Sequence, residues 1–330
     1  MPIPASAISI RATGGPDQLE LVSTEIADPG PGEVVVEVHA TGVNFIDTYH
    51  RSGLYPVDLP FTPGSEGSGV VVATGPTPDD AAPPMPAVGD RVAWVGVGSS
   101  YATHVSGPAD MFMPVPTEMT LDIAAALPLQ GMTAHYLVSD THPLQAGEIC
   151  LIHAAAGGTG RLLVQMAKLR GAEVVATAGS PEKVELARSA GADHVINYVE
   201  EDLIPAVEAA VGTDAVNAVY DGVGAATFDA GIHLLAPRGT MATFGNASGA
   251  VPPVSPLALM PKSLFLTRPT LFSHIATTAE RLDRWTELAG WVRNGVLDVR
   301  VGHTFPLADA AEAHRALESR STTGKILLTN

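Results

Sequence analysis

A glycine-rich run at residues 153–160, His-Ala-Ala-Ala-Gly-Gly-Thr-Gly, has residue types and spacing that suit anion binding. It follows an apolar run and precedes an amphipathic stretch, which is the strand–turn–helix context of a pyrophosphate site. Gly157 and Gly158 let the backbone approach the phosphates, and Gly160 lets the helix pack against the strand. Backbone N–H groups at the start of that helix would face the anion. The residues expected to line this site are Ala156, Gly157, Gly158, Thr159 and Gly160.

The position that distinguishes NAD from NADP carries no acidic residue. NAD sites usually have Asp or Glu about 20 residues beyond the last glycine, where it binds the ribose 2′-hydroxyl. Here residues 177–180 read Thr-Ala-Gly-Ser, and Lys183 follows within one helical turn. Ser180 and Lys183 can donate hydrogen bonds to a 2′-phosphate, which a carboxylate would repel. The pattern favours NADPH over NADH.

Short apolar runs alternate with helical stretches through the middle of the chain, and these elements must position the glycine run. Such alternation is typical of a parallel, doubly wound sheet. The apolar runs are residues 149–152, 174–177, 194–196, 218–220 and 240–243, with a further strand at 263–267. The helical stretches are residues 160–169, 181–189, 200–211 and 225–234. Because Ala155 replaces the first glycine of G-x-G-x-x-G, this context is what makes the run indicate a dinucleotide site.

The two ends of the chain do not continue this alternation. Before the middle region, Val-rich runs bounded by turn residues predict a small, closed or strongly curved β-unit; they are residues 33–38, 69–73 and 91–95. After it, the pattern predicts helices at 278–294 and 308–319 and a closing strand at 325–329. We interpret this last stretch as returning to the first domain. The predicted domains are therefore 1–127 with 273–330, and an inserted domain at 128–272.

Composition and charge limit the class of protein. The 330 residues are 46% hydrophobic and 16% charged, which predicts a chain with a large core rather than a disordered one. The net charge of −17 argues against binding to nucleic acid or to anionic membranes. The single cysteine, Cys150, excludes an internal disulfide and a cysteine-based structural zinc site. No run reaches the ~18 apolar residues of a membrane span, and no signal-peptide core is present, so we expect a cytoplasmic protein.

Seven segments carry a recognisable set of motifs: residues 42–49, 51–56, 64–69, 130–134, 153–160, 219–224 and 244–249. Together they resemble the NADPH:quinone oxidoreductases, including zeta-crystallin, of the medium-chain dehydrogenase/reductase superfamily. The resemblance covers nearly the whole chain. It implies a GroES-like, β-rich catalytic domain, an inserted Rossmann domain and a homodimer.

The resemblance also implies a zinc-free enzyme. Zinc alcohol dehydrogenases of this superfamily have a cysteine ligand where this chain has Asn44, and a histidine ligand where it has Ser65. With Cys150 on a predicted buried strand, a zinc site of Cys/His type cannot be assembled from these positions. Glu66 remains, and we interpret it as orienting its loop through hydrogen bonds.

Matching positions in the family suggest the site residues. Four implied catalytic residues near the nicotinamide and substrate are Asn44, Asp47, Tyr49 and Tyr55. Beyond the glycine run, the implied cofactor-binding residues are Thr133, Gly179, Ser180, Lys183, Tyr198, Val223, Phe244, Asn246, Ser248, Arg320 and Lys325. Of these, Gly179, Ser180, Lys183, Tyr198 and Arg320 match the pocket for the adenosine 2′-phosphate.

The activity implied by the resemblance is hydride transfer from NADPH to a small quinone in a cleft between the two domains. Without a metal, hydrogen-bond donors must stabilise charge on the acceptor oxygen, and Asn44, Tyr49 and Tyr55 are the candidates. The sequence leaves open whether the electrons move together or singly, and which group donates a proton.

Other functions compete with quinone reduction. The nearest is an NADPH-dependent reductase of enone or 2-alkenal double bonds on the same fold. An enoyl-thioester reductase is disfavoured, because no basic groove for a long phosphopantetheine arm is evident. A non-enzymatic NADPH-binding role, structural or RNA-binding, belongs to a different class, and the net charge of −17 argues against RNA.

Overall fold

The chain divides into two compact units. The structure, a computed structural model, describes residues 2–78 and 84–330. One unit combines Met1–Leu129 with Ile275–Asn330 and is called the flanking unit below. The other, Gln130–His274, is called the inserted unit. The chain thus leaves the flanking unit once and returns to it.

Strands and helices alternate through the inserted unit, whereas strands predominate before it. The strands are β1 Ile3–Ser9, β2 Glu20–Ile26, β3 Glu33–Val43, β4 Glu66–Thr74, β5 Arg91–Val95, β6 His104–Pro108, β7 Phe112–Pro114, β8 Ile149–Ile152, β9 Glu173–Ala178, β10 His194–Asn197, β11 Val216–Asp221, β12 Leu235–Thr243, β13 Phe265–Thr267, β14 Val301–Pro306 and β15 Lys325–Thr329. The helices are α1 Phe45–Ser52, α2 Leu121–Ala126, α3 Pro128–Tyr136, α4 Gly158–Leu169, α5 Pro181–Ser189, α6 Leu203–Val211, α7 Phe228–Leu234, α8 Leu271–His274, α9 Thr278–Arg293 and α10 Ala310–Glu318.

The inserted unit is built on a six-stranded sheet in the order β10-β9-β8-β11-β12-β13. All of its neighbouring strands are parallel. Numbered from β8, the order is 3-2-1-4-5-6, which is that of a dinucleotide-binding Rossmann sheet. Leu151, Val175, Val219 and Met241 are fully buried in its core. The strand order reverses between β8 and β11, and ligands of such sheets bind where the carboxyl ends of those strands meet.

The flanking unit is built on a seven-stranded, mainly antiparallel sheet. Its order is β14-β15-β3-β4-β5-β7, and β6 pairs with β3 as well. The last strand, β15, lies antiparallel to β3, with Ile326 opposite Val43 and Leu328 opposite Thr41. This register brings the end of the chain beside the segment that leads into α1.

The predicted fold class, a GroES-like β-rich domain with an inserted Rossmann domain, is confirmed. Some element boundaries differ from the prediction. The helix predicted from residue 225 begins at Phe228, because the backbone N–H groups of Val223 and Gly224 bind the Asp221 side chain in a turn. The strand predicted at 263–267 is limited to Phe265–Thr267, since Ser263 adopts a left-handed conformation with a φ of 51°. Within the described part of the chain, no helix combines the length and hydropathy needed to cross a membrane.

Candidate active site

The glycine run forms the turn between β8 and α4, at the point where the strand order reverses. Gly157 is the residue that caps α4, and it supplies no side-chain cap, so the first N–H groups of the helix are available to a ligand. Its own N–H donates to the carbonyl oxygen of Ala154 at 2.9 Å. A helix start without a side-chain cap, beside the carboxyl end of a parallel strand, suits a pyrophosphate. The residues present therefore fit a dinucleotide.

One glycine of this turn is required by close packing against the backbone. A Cβ added to Gly160 would lie 2.4 Å from the carbonyl oxygen of Ala154, whereas one added to Gly158 would meet the flexible end of the Gln130 side chain, at 1.8 Å. At Gly157 a Cβ would lie 3.2 Å from the Ala154 carbonyl oxygen, which is a tight contact. Ala154 has a φ of 52°, a conformation that side-chain-bearing residues rarely adopt. Strain of this kind is frequent at ligand sites.

A second group of predicted residues meets at the carboxyl ends of β9 and β10. Ser180 caps α5, and its hydroxyl accepts from the backbone N–H of Lys183 at 3.4 Å. Tyr198 follows β10, and its hydroxyl would lie 2.4 Å from a Cβ on Gly179. Burial lowers the pKa of Lys183 from its ordinary value, and the Glu182 carboxylate opposes that shift. Gly179, Ser180, Lys183 and Tyr198 therefore lie in or just beyond the two turns that follow the neighbouring strands β9 and β10, and their contact with a 2′-phosphate stays a prediction.

The turns after β11 and β12 are joined to each other. The Asp221 carboxylate accepts from the N–H groups of Val223 at 2.7 Å and Gly224 at 3.0 Å. The Ser248 hydroxyl donates to the carbonyl oxygen of Val223 at 2.9 Å. The N–H of Phe244 donates to the carbonyl oxygen of Asp221 at 2.8 Å. The segments that contain Val223, Phe244 and Ser248 thus form one surface, next to the glycine turn across the β8–β11 pair.

Sequence reasoning missed Arg268, which follows β13. Its guanidinium donates to the carbonyl oxygens of Thr243 at 3.1 Å and Gly245 at 2.9 Å. Arg268 therefore fixes the turn that contains Phe244 and Asn246. The sequence did offer a signal for it, which is a basic residue directly after a predicted strand in a strongly acidic chain.

In the flanking unit, α1 positions the predicted catalytic residues. Asn44 is the N-cap residue, and its backbone N–H donates to the Asp47 carboxylate at 2.9 Å, so that Asp47 closes the first turn. Tyr49 and Tyr55 are in edge-to-face contact with ring centroids 5.2 Å apart. The N–H of Tyr55 donates to the carbonyl oxygen of Tyr49 at 3.1 Å. Asn44, Asp47, Tyr49 and Tyr55 are therefore held together around α1, and their catalytic role stays a prediction.

A buried ion pair links the N-cap residue to the last strand. The ammonium of Lys325, on β15, donates to the Glu66 carboxylate and to the Asn44 side-chain oxygen, the latter at 2.7 Å. The Asn44 amide nitrogen in turn donates to Glu66 at 2.6 Å. A Cβ on Gly42 would lie 2.3 Å from Glu66, so the pair occupies the space of a side chain there. The Lys325 ammonium thus binds Glu66 and Asn44, and its predicted place near the cofactor stays a prediction.

Two further predicted cofactor residues lie elsewhere in the chain. Arg320 is exposed just beyond α10, with a φ of 58°, and belongs to the flanking unit, whereas Lys183 belongs to the inserted unit. Thr133 is buried in α3. Their roles stay predictions.

The fold and these sites together define a two-domain, nucleotide-dependent dehydrogenase. Family models described as "Alcohol dehydrogenase GroES-like domain" and "Zinc-binding dehydrogenase" match residues 30–144 and 158–293. The quinone oxidoreductase of Pseudomonas aeruginosa is 41% identical over 98% of this chain and 99% of its own length. The structure of mycobacterial Rv1454c complexed with NADPH has a TM-score of 0.94 at 44% identity, covering 99% of this chain and 100% of that one. Escherichia coli quinone oxidoreductase complexed with NADPH has a TM-score of 0.94 at 39% identity, covering 98% and 100%. The chain belongs to the quinone oxidoreductase family of the medium-chain dehydrogenases/reductases.

Proposed function

We propose that this protein is an NADPH-dependent quinone oxidoreductase. The observation that carries the proposal is that Gly179, Ser180, Lys183 and Tyr198, none of them acidic, lie in or just beyond turns on the same sheet edge as the glycine turn. That pairing suits a dinucleotide with a 2′-phosphate. The predictions of this activity and of NADPH, made from the sequence, are confirmed by relatives of the same fold and nearly the same length.

NADPH supplies the hydride, and the residues of this chain bind and orient the reactants. The glycine turn and the start of α4 would hold the pyrophosphate, and Ser180 and Lys183 the 2′-phosphate. The two polar ends of the Asn44 amide already bind Lys325 and Glu66. We therefore assign the stabilisation of the acceptor oxygen first to the hydroxyls of Tyr49 and Tyr55, with Asn44 fixing the helix on which Tyr49 lies.

Replacing either tyrosine by phenylalanine tests this assignment. Tyr49→Phe and Tyr55→Phe should each lower quinone turnover roughly 3- to 10-fold, the worth of one hydrogen bond. NADPH affinity should stay nearly unchanged. The measurement is steady-state NADPH oxidation with benzoquinone, naphthoquinone and short enones, and Tyr220→Phe, a buried tyrosine of the inserted unit, is the matched control. Unchanged turnover in both variants and in the double variant would contradict the assignment, and faster turnover of wild type with enones would favour the alternative acceptor.

We further propose that the enzyme is zinc-free, although the matched dehydrogenase domain is described as zinc-binding. Two ligand positions implied by the family hold Asn44 and Ser65. The remaining acid, Glu66, already has a cation beside it, since Lys325 donates to its carboxylate in the interior. A zinc ion there would have to displace that ammonium. Metal analysis is combined with a Lys325 variant in the Discussion.

We also propose a homodimer that forms through the edge of the inserted sheet. The edge strand β13 leaves Phe265 62% exposed, and Leu257 and Met260 nearby are 72% and 69% exposed. Open strand edges with apolar side chains pair with other chains, and a two-fold dimer covers them. Light scattering at micromolar concentration should give a dimer for wild type and a monomer for Phe265→Asp. A wild-type monomer would contradict the proposal.

The domain boundaries predicted from the sequence, 1–127 with 273–330 and 128–272, are kept as proposals. So is the cytoplasmic location. Limited proteolysis followed by mass measurement of the fragments tests the boundaries.

A further inference from the structure

A hydrogen-bonded series of buried side chains connects α10 to α1 within the flanking unit. The Arg51 guanidinium contacts the His314 ring nitrogen Nδ1 at 3.1 Å. The other ring nitrogen, Nε2, lies 3.1 Å from the Tyr101 hydroxyl, which donates to the Asp47 carboxylate at 3.1 Å. Arg51, His314, Tyr101 and Asp47 are all buried, and none of the roles assigned above uses Arg51, His314 or Tyr101.

The hydrogen bonds in this series can run in one direction only. Arg51 has donors and no acceptor, so His314 Nδ1 must accept. Tyr101 gives its single proton to Asp47, so His314 Nε2 must be the nitrogen that donates to the Tyr101 oxygen. A charged His314 would place an N–H against the Arg51 N–H. Burial and the Arg51 charge accordingly lower the pKa of His314 to about 3.

Asp47 lies at the end of this hydrogen-bonded series, and the bonds that the described residues form with its carboxylate all come from donors. Its carboxylate accepts from the N–H of Asn44 at 2.9 Å, the N–H of Gly64 at 3.2 Å and the Tyr101 hydroxyl. A proton on Asp47 would therefore face a donor. Burial raises the pKa of Asp47 to about 6, the bonds from Asn44 and Tyr101 and the Lys325 charge oppose that rise, and the Glu66 charge adds to it.

The other end of this series, at α10, is held by an ion pair. The Glu318 carboxylate, on α10, accepts from Arg51 at 2.6 and 3.2 Å. Arg51 also donates through Nε to the carbonyl oxygen of Gly14 at 3.1 Å. Because a guanidinium has donors and no acceptor, it cannot take up a further proton, so this series of side chains is not a proton path to solvent. Its fixed direction suits a different task, which is to hold one acceptor in place.

We propose that Tyr101 and His314 are positioning residues for quinone reduction, which hold Asp47 as a carboxylate and thereby fix the Asn44 end of α1. The inference rests on the proposed function of α1, since it makes the arrangement of Asn44 and Tyr49 depend on an ionised Asp47. Removing the donor at Tyr101 destabilises the carboxylate form of Asp47 and leaves its neutral form unaffected, so the pKa of Asp47 rises. As the pH is lowered, activity is therefore lost at a higher pH in the variant than in wild type.

The test is the pH profile of kcat/KM for quinone in wild type and Tyr101→Phe. Wild type should lose activity below a midpoint near pH 6, the pKa of Asp47. One hydrogen bond to a charged group changes its ionisation constant about tenfold, so the midpoint should rise by about one pH unit in the variant. The loss should be about fivefold at pH 6, about twofold at pH 7 and absent above about pH 8.5. Tyr220→Phe, which removes an equally buried hydroxyl from the inserted unit, should leave the profile unchanged.

Two further measurements keep the outcome decisive. His314→Leu should raise the midpoint by less than Tyr101→Phe does. His314→Gln, whose amide can both accept and donate, should bring the midpoint part of the way back to the wild-type value. Infrared titration of the carboxyl band that disappears in Asp47→Asn should give the same midpoints without turnover. A loss that is equal at every pH, or an unmoved Asp47 midpoint in Tyr101→Phe, would overturn the proposal. Full activity of Asp47→Asn with an unchanged profile would instead contradict the assignment of Asp47 to the site.

Discussion

Lys325→Met is expected to lower the free energy of unfolding by about 3–5 kcal/mol, because it leaves the Glu66 carboxylate buried without its cation. Glu66 is 0% exposed and Lys325 1% exposed, so water cannot replace the lost partner. The Asn44 side-chain oxygen also loses its donor. Methionine keeps the length and apolar stem of lysine, which limits the effect of packing.

Tryptophan fluorescence during urea unfolding measures this loss. The chain has three tryptophans, Trp94, Trp285 and Trp291, and all of them belong to the flanking unit that contains Lys325. The double variant Lys325→Met with Glu66→Gln removes both charges and should recover at least about half of the loss. If Lys325→Met alone lowered the free energy of unfolding by less than about 1 kcal/mol, the result would show that water reaches the ion pair. Elemental analysis of the same wild-type preparation tests the zinc-free proposal, which stoichiometric zinc would contradict.

Lys183→Ala should weaken NADPH binding about 10- to 150-fold and barely change the affinity for NADH. The range follows from about 1.5–3 kcal/mol for a hydrogen bond to a charged group. NADH lacks the 2′-phosphate, so the substitution removes no contact with that cofactor. Calorimetric titration of both cofactors against wild type and variant decides the matter.

Arg188→Ala is the matched control for Lys183→Ala, because Arg188 lies on the same helix and pairs with Glu185 in solvent. It should change neither affinity. Equal losses for NADPH and NADH in Lys183→Ala would mean that Lys183 is structural. Introducing an acid at Gly179 is a poorer test, since its Cβ would lie 2.4 Å from the Tyr198 hydroxyl and would displace that residue as well.

Local patterns were sufficient to predict the inserted unit. Its strands are short apolar runs, and its cofactor turn is a contiguous glycine motif, so neighbouring residues determine both. Helix α7 begins later than predicted because the Asp221 side chain binds the backbone that precedes it, and periodicity contains no sign of that bond. Boundaries of this kind depend on side-chain hydrogen bonds and not on propensity.

The interior of the flanking unit could not be predicted in the same way. Arg51 and His314 are 263 positions apart in sequence, and Glu66 and Lys325 are 259 apart. Composition and spacing do not predict such pairs. The pairing of β15 with β3 brings Lys325 towards Glu66, and Arg51 and His314 meet through the helices α1 and α10 of the same unit. The resemblance to a known family pointed to Lys325 as a basic residue near the site, but not to its carboxylate partner.

The pairing of β15 with β3 also sets an order of events during synthesis. The strand β15 follows the entire inserted unit in the chain, yet it lies next to β3 in the flanking sheet. All strands of the inserted sheet are made before β15, so that unit can fold on the ribosome while the flanking sheet still lacks two strands. During that interval Glu66 has no ammonium beside it, and the edge of β3 that β15 will cover is open. Chaperones that bind unpaired strands would therefore meet this protein chiefly through its first 129 residues.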